Sequence, residues 1–395
     1  RTLLEWTFDR DGDTQGWTAN GHLADARVAG GSLSCRAGGS DPILELRPLI
    51  DLPATPWQAI EVRMRADRDG MAEFFWSNTD KGRFGGFEQA KTTRFQVVGD
   101  NQWRTYRLYP FWQAEGKIVR LRFDLFDGAM YQVDAIRIVG ATMPPAAKAA
   151  DFNLRNGLQG WQPLDGATLT PGTAGAAFAA ISDKGFLLGP PVNLPASEQN
   201  VLAVRMAVEK GRQGTLYFAT AKGYGLRSLS FPIEADGRER TYNVDLLGAK
   251  DWRGEVIALG LRPSDAPDAK ATIASLSIGV DPQGPPQLKI RSFAIDEALP
   301  RAGVPTTLTA IVTNTGGETA RGLRAEITLP RGVERLDSSP LDRSIPALDF
   351  GEEASLTWKV RATQPISGEA TLRVQAAGAS ASPGEAKTML AFTPK

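Results

Sequence analysis

Two groups of residues in this sequence have the types and spacing to do chemistry. The first is aromatic and charged. Trp76 leads directly into the loop Ser77-Asn78-Thr79-Asp80-Lys81-Gly82-Arg83-Phe84-Gly85-Gly86-Phe87, Trp112 follows further on, and Arg63, Arg65, Arg122 and Asp124 alternate with apolar residues in two runs. Rings that stack on a pyranose face, with a few charged groups to fix hydroxyls, are what sugar binding needs. Loops on a rigid scaffold are where such groups usually sit. The ligand-binding candidates are therefore Trp76, Phe84, Phe87 and Trp112 as rings, with Arg63, Arg65, Arg122 and Asp124 as polar partners. The competing reading puts Trp76 in the core and leaves the arginines as a solvated face. The second group is acidic: Asp9-Arg10-Asp11-Gly12-Asp13 sets three carboxylates at alternate positions, an oxygen-rich spacing that suits Ca²⁺. It lacks the sixth-position Gly and the closing Glu of an EF-hand loop.

Counting disfavours other chemistries. His22 is the only histidine, so a Ser-His-Asp or Cys-His mechanism would have to run through one loop residue, and a multi-histidine metal site is excluded. Cys35 is the only cysteine, which excludes an internal disulfide and a cysteine zinc site and reads as a buried, inert thiol. No phosphate-cradling or dinucleotide glycine signature sits between a strand and a helix. Paired carboxylates for glycoside hydrolysis stay open, because two acids suffice, 45 are present and the fold sets their separation. No catalytic constellation stands out. Lys plus Arg (45) balances Asp plus Glu (45), leaving no basic field for nucleic acid. No run approaches the ~20 apolar residues of a membrane helix. An opening at Arg1 is expected of a processed mature form or a trimmed chain.

The elements that must position these residues are strands. Ile60-Glu61-Val62-Arg63-Met64-Arg65 and Val119-Arg120-Leu121-Arg122-Phe123-Asp124-Leu125 alternate apolar and polar at period two, and no long amphipathic helix is evident. With Val62, Met64, Leu121, Phe123 and Leu125 inward, one outward face is expected to carry Arg63, Arg65, Arg120, Arg122 and Asp124, with Glu73 and Phe75 beside them. The 41 Gly and 26 Pro are scattered along the 395 residues as turn punctuation.

The sequence also repeats itself. Phe8 through Gln15-Gly16-Trp17 returns as Phe152 through Gln159-Gly160-Trp161. Ile50-Asp51-Leu52-Pro53 returns as Val192-Asn193-Leu194-Pro195, Val62-Arg63-Met64 as Val204-Arg205-Met206, and Arg104-Thr105-Tyr106 as Arg240-Thr241-Tyr242. Matches kept in one order point to duplication. Where the first copy carries its charges, the second has Ala203, Ala207, Ala258 and Gly260, with Arg205 and Tyr217 retained, so binding is expected in the first copy. Pro144 to Ala150 and Asp281 to Pro286 read as semi-stiff linkers. The domains expected are 1–143, 148–280 and 287–395. From Gln287 onward short strands punctuated by Thr315-Gly316-Gly317 and Pro330-Arg331-Gly332 argue for an immunoglobulin-type sandwich.

The opening Phe-Asp, the Gln-Gly-Trp, the Leu-Pro before a Val-Arg-Met strand and the closing Val133-Asp134-Ala135-Ile136-Arg137-Ile138 resemble galactose-binding-like jelly rolls, the fold of many carbohydrate-binding modules. Val312-Thr313-Asn314-Thr315-Gly316, Leu329-Pro330-Arg331-Gly332 and Leu348-Asp349-Phe350-Gly351-Glu352 resemble bacterial surface immunoglobulin-like repeats. The fold class implied is all-β: two tandem jelly-roll sandwiches and a C-terminal immunoglobulin-like sandwich. The jelly-roll resemblance implies a structural Ca²⁺ joining the first strand to an acid in the last, which makes Asp134 a metal ligand with Asp9, Asp11 and Asp13. In the second copy Asp9 and Asp134 are replaced by Asn153 and Ala274. Together the resemblances imply an exported bacterial protein, extracellular, on the cell surface or periplasmic. The expected role is non-catalytic binding of a polysaccharide or glycan, with a catalytic domain of a glycoside hydrolase as partner. The alternative is a spacer or subunit of a surface assembly or adhesin.

Overall fold

The structure, a computed structural model, describes residues 1–181, 184–337, 343–378 and 380–394. It is nearly all β, built from antiparallel sheets, and among the described residues no helix is long and apolar enough to cross a membrane. Compactness divides the chain into two units. One holds Arg1–Gln199, Ala207–Arg238 and Leu247–Ala274, and the other holds Asn200–Met206, Glu239–Leu246 and Ser275–Lys395.

In residues 1–143 two sheets face each other. The first runs Arg104–Leu108, Gln58–Ala66, Met130–Gly140, Ser32–Ala37, Leu23–Ala29. The second runs Trp17–Ala19, Ile43–Leu46, Arg120–Asp124, Gly70–Ser77, Thr92–Val97. Period-two alternation decides what lies between them: Val62, Met64, Phe74, Leu121 and Phe123 are fully buried, with Phe74 and Phe123 stacked at 4.2 Å between centroids. Cys35 is in this core, where burial pushes its thiol up to about 12. It is inert at neutral pH.

The following stretch repeats both strand orders. Arg240–Asp245, Val201–Val208, Lys270–Gly279, Ala176–Ala180, Ala167–Thr170 parallels the first sheet strand for strand, and Gln162–Leu164, Phe186–Leu188, Glu255–Arg262, Gln213–Thr220, Arg227–Pro232 parallels the second. Pro144 to Ala150 is mostly exposed, yet Ala147 N donates to Asn193 O (2.9 Å) and Asn193 Nδ2 donates to Pro144 O (3.2 Å).

Residues from Leu288 onward form two four-stranded sheets, Leu288–Ile295, Thr306–Asn314, Glu353–Ala362, Val333–Arg335 and Arg343–Ile345, Leu323–Thr328, Ile366–Gln375, Gly384–Phe392. Trp358 is at the centre of their core. Asn314 is buried because it serves backbone groups that would otherwise go unpaired: its Nδ2 donates to Glu318 O (2.8 Å) and Leu348 O (3.0 Å), and its Oδ1 accepts from Gln287 N (3.1 Å) and Gly316 N (3.0 Å).

Candidate functional site

The outward face of the second sheet of residues 1–143 carries the site. Hydrogen-bonded pairing sets Thr18, Glu45, Arg122, Phe75 and Thr92 in one row across five strands. Asp124 and Glu73 lie opposite each other in the next row on the same face. The Arg122 guanidinium lies 4.8 Å above the Phe75 ring and 6.0 Å from Phe87, while Arg120 lies 4.9 Å from Phe87. Arg122 Nε donates to Asp124 Oδ1 (2.6 Å), and Arg120 is ion-paired with Glu45. Burial pushes the Asp124 carboxyl up, and the adjacent Arg122 charge opposes it. Of these, Thr18, Glu45, Phe87, Arg120 and Arg122 border a groove of about 260 Å³ whose other walls include Asn20, Arg47, Gly85 and Phe84. Phe84 is 68% exposed, with the Arg83 guanidinium 4.7 Å from its ring centroid, and offers an accessible aromatic ring.

The loop that brings Phe84 and Phe87 here is anchored at both ends. Ser77 Oγ donates to Thr79 O (2.8 Å) on entry. On exit Lys91 Nζ donates to Asn78 Oδ1 (3.1 Å) and to Glu115 Oε2 (3.1 Å), an ion pair with only 18% and 2% of its two side chains exposed. At the tip Phe84, Gly85 and Gly86 all have positive φ. Gly85 suits the φ of +67°, and the Arg120 guanidinium packs where a Cβ would lie and donates to the Gly85 carbonyl (3.1 Å), so a side chain there would displace it. Glu115 also lies beside Gln113, whose Nε2 donates to Thr220 O (2.8 Å) and Gly223 O (3.1 Å). The strap Gln113–Glu115, which fixes the loop through Lys91, is thus tied to the second copy.

Several expectations are corrected. Trp76 (5% exposed) and Trp112 (1%) meet edge to face in the core, and Trp112 Nε1 donates to Gln58 Oε1 (2.6 Å), so neither ring offers a face to a ligand. Phe87 is buried under Arg120, leaving Phe84 as the accessible ring. Arg63 and Arg65 are on the opposite sheet, around Trp103 (5.3 and 4.9 Å), with Arg63 paired to Asp134 (2.9 Å) and Arg65 Nε donating to Gln132 Oε1 (2.5 Å). They share no face with Arg122. His22 is a loop acceptor for Asp41 N (3.0 Å).

Three of the four acidic candidates have partners within the protein. Asp11 Oδ1 accepts from Gly30 N (2.9 Å), Asp13 Oδ1 accepts from Gln15 N (2.9 Å), Asp134 faces Arg63, and Asp9 is exposed. Among the described residues no group of three or more acidic, histidine or cysteine side chains is placed to hold a metal.

Two features escaped the sequence reading. Glu45 and Asn20 line the groove; the Glu in Ile43-Leu44-Glu45-Leu46 signals an outward position once its neighbours are taken as core. The larger omission is a buried seam between the two copies. Trp57, Phe111, Phe186, Leu188, Ile257 and Ala258 form one apolar cluster, with Tyr217 packed against it, and Trp57 Nε1 donates to Ile257 O (2.6 Å). The row in the second copy that corresponds to the site is Gln162, Leu188, Gly260, Tyr217, Ser228. The face that lost its charges is the face that docks.

Residues 301–378, about a fifth of the chain, match the family described as the NPCBM-associated, NEW3 domain of alpha-galactosidase. No curated protein matches the chain in sequence. Among solved structures the chain is similar to one titled "BiXyn10A CBM1 APO" (12% identity, TM-score 0.27, covering 36% of this chain and 99% of that one). It is also similar to one titled "xylan-binding module CBM15" (16%, TM-score 0.26, 33% and 94%). A third is the glycoside hydrolase domain Endo-D from Streptococcus pneumoniae R6 (16%, TM-score 0.24), of which this chain covers 37%.

Proposed function

We propose that this chain is a non-catalytic, carbohydrate-binding accessory region of an exported protein, and that it binds glycan on the groove between Phe84 and Arg122. The observation that carries this reading is the groove that sets Thr18, Glu45 and Arg122 beside Asn20, Arg47 and the exposed Phe84 ring. A sugar offers hydroxyls to the first set and an apolar ring face to the second. Glu45, Asp124 and the two arginines are held by one another before ligand arrives, which lowers the cost of ordering them. The match of residues 301–378 to a domain of alpha-galactosidase supports a parent protein that acts on glycans, with residues 287–395 as an immunoglobulin-like spacer.

The test is calorimetric titration of the whole chain with plant, algal and host polysaccharides, repeated for Phe84→Ala and Arg122→Ala. Each substitution is expected to weaken binding at least tenfold, about 1.4 kcal/mol. No binding by the wild type, or binding untouched by both substitutions, sinks the reading.

A further inference from the structure

The docked face of the second copy is not sealed along its whole length. Beside the seam runs a cleft of about 580 Å³, inside the ~300–1,000 Å³ range of ligand clefts, which favour domain interfaces. One wall is made by the edge strands Thr92–Val97 and Arg104–Leu108 of the first copy. The other is made by the turn from Pro163 to Ala167, with Phe186 and Leu226. We propose that this cleft is a second carbohydrate site, taking a neutral oligosaccharide between the two copies. The inference rests on the reading that the chain binds carbohydrate and adds to it a site that neither copy could form alone.

The lining mixes rings with oxygen groups. Tyr106 and Tyr109 are half-buried, and each is fixed through its hydroxyl: Tyr106 accepts from Val98 N (3.0 Å) and Tyr109 from Gln162 Nε2 (3.0 Å). Rings held in this way lose little freedom when a sugar stacks on them. Thr92 and Thr105 add hydroxyls, and Asp165 adds a carboxyl that reaches solvent inside the cleft. The two arginines at the rim are already neutralised, Arg94 by Glu73 (2.8 Å) and Arg107 by Glu61 (2.7 Å), so the cleft has no surplus positive charge to recruit an anion. Protein packed around Asp165 pushes its carboxyl up to about 6, and its backbone is left-handed at φ 51°. That φ, with Gly166 at 82°, is the ordinary geometry of an Asp-Gly turn, which holds the carboxyl at the cleft, and a perturbed carboxyl in a cleft is a recurrent mark of a binding site. Hydroxyls, one carboxyl and tyrosine rings without excess charge suit a sugar better than they suit an ion or an apolar molecule.

The experiment titrates the whole chain with neutral β-1,4-glucan, β-1,4-mannan, β-1,4-xylan and α-galactoside oligosaccharides. Thr105→Trp fills the cleft from an exposed position, and Asp165→Asn removes the carboxylate without changing shape, so failure of the first to fold leaves the second as the test. Phe84→Ala/Arg122→Ala disables the face groove independently. The expected result is binding that is weakened but not abolished in the groove variant and falls at least a further tenfold on adding Thr105→Trp or Asp165→Asn. Every oligosaccharide binding unchanged to both cleft variants overturns the cleft and spares the groove. Loss with the cleft variants and none with the groove variant overturns the groove and spares the cleft. No binding by the wild type counts against both.

Discussion

One sheet face occurs twice in the first compact unit and meets two fates. In residues 1–143 the central row reads Thr18, Glu45, Arg122, Phe75, Thr92 and stays open over a groove; in the following copy it reads Gln162, Leu188, Gly260, Tyr217, Ser228 and packs against Trp57 and Phe111. A charged face pressed against a neighbour would leave its ions desolvated, at a cost of several kcal/mol each unless they are paired well. Replacing Glu45 and Arg122 by their counterparts Leu188 and Gly260 avoids that cost. A face of small and apolar residues on a sandwich is therefore evidence of docking and need not mean decay. The second copy, so docked, seats Trp57 and, through Gln113, steadies the strap that holds the Phe84 loop.

The strongest way to break this comparison is to remove the residue that joins the two copies. Trp57→Ala deletes a buried ring and the Nε1 to Ile257 O bond, and substitutions of this kind cost about 3–5 kcal/mol. Chemical denaturation should show the first compact unit losing that stability and its single transition splitting in two, as the copies unfold separately. An unchanged midpoint with one transition would mean that the seam contributes nothing.

The second test exchanges the two fates at matched positions. Gly260→Arg restores the charge to the docked face, where even a Cβ would meet Leu187 O at 2.8 Å and Tyr217 Cβ at 3.2 Å. Overpacking of that kind costs about 1–3 kcal/mol and the desolvated charge adds to it, the sum to be read from the denaturation midpoint. Arg122→Gly on the open face leaves the half-buried Asp124 carboxylate without its partner, removes the stacking on Phe75 and puts a glycine in mid-strand, a loss of about 1–3 kcal/mol, and here glycan affinity should also fall at least tenfold. If the two substitutions have the same effect, the two faces are not doing different work.

How much of this was legible follows from which interactions are local. Alternation placed Val62, Met64, Leu121 and Phe123 in the core, and they are there, because period two is a property of one strand. The same rule, applied along Phe74-Phe75-Trp76, turns Phe75 outward and Trp76 inward, as the structure has them, so alternation itself assigns Trp76 to the core. The sheet to which Arg63 belongs was not legible, since pairing is set between strands that are distant in sequence. Nor was the seam. Tyr109-Pro110-Phe111-Trp112 has no strand period, and one tryptophan outside a strand carries no sign of a partner 200 residues away.

The smallest effect concerns the rim of the seam. Asp165 holds its proton up to about pH 6 in the folded protein, against an ordinary value of 3.8, while Lys184 favours its charged form. The folded state therefore binds this proton more tightly than the unfolded state does, so stability from this group is fully present below pH 3.8 and is lost as pH rises through 6. Asp165→Asn cannot ionise and should escape that loss, melting higher than the wild type at about pH 8 by a small margin that disappears at about pH 4. A difference of the opposite sign at the higher pH would mean that the charged carboxylate is stabilised where it stands, by Lys184 or by the Arg94 and Arg107 rim of the cleft. A bound neutral sugar that donates hydrogen bonds to the carboxylate should then narrow the gap between wild type and variant, because it favours the ionised form in the wild type and finds only an amide in the variant.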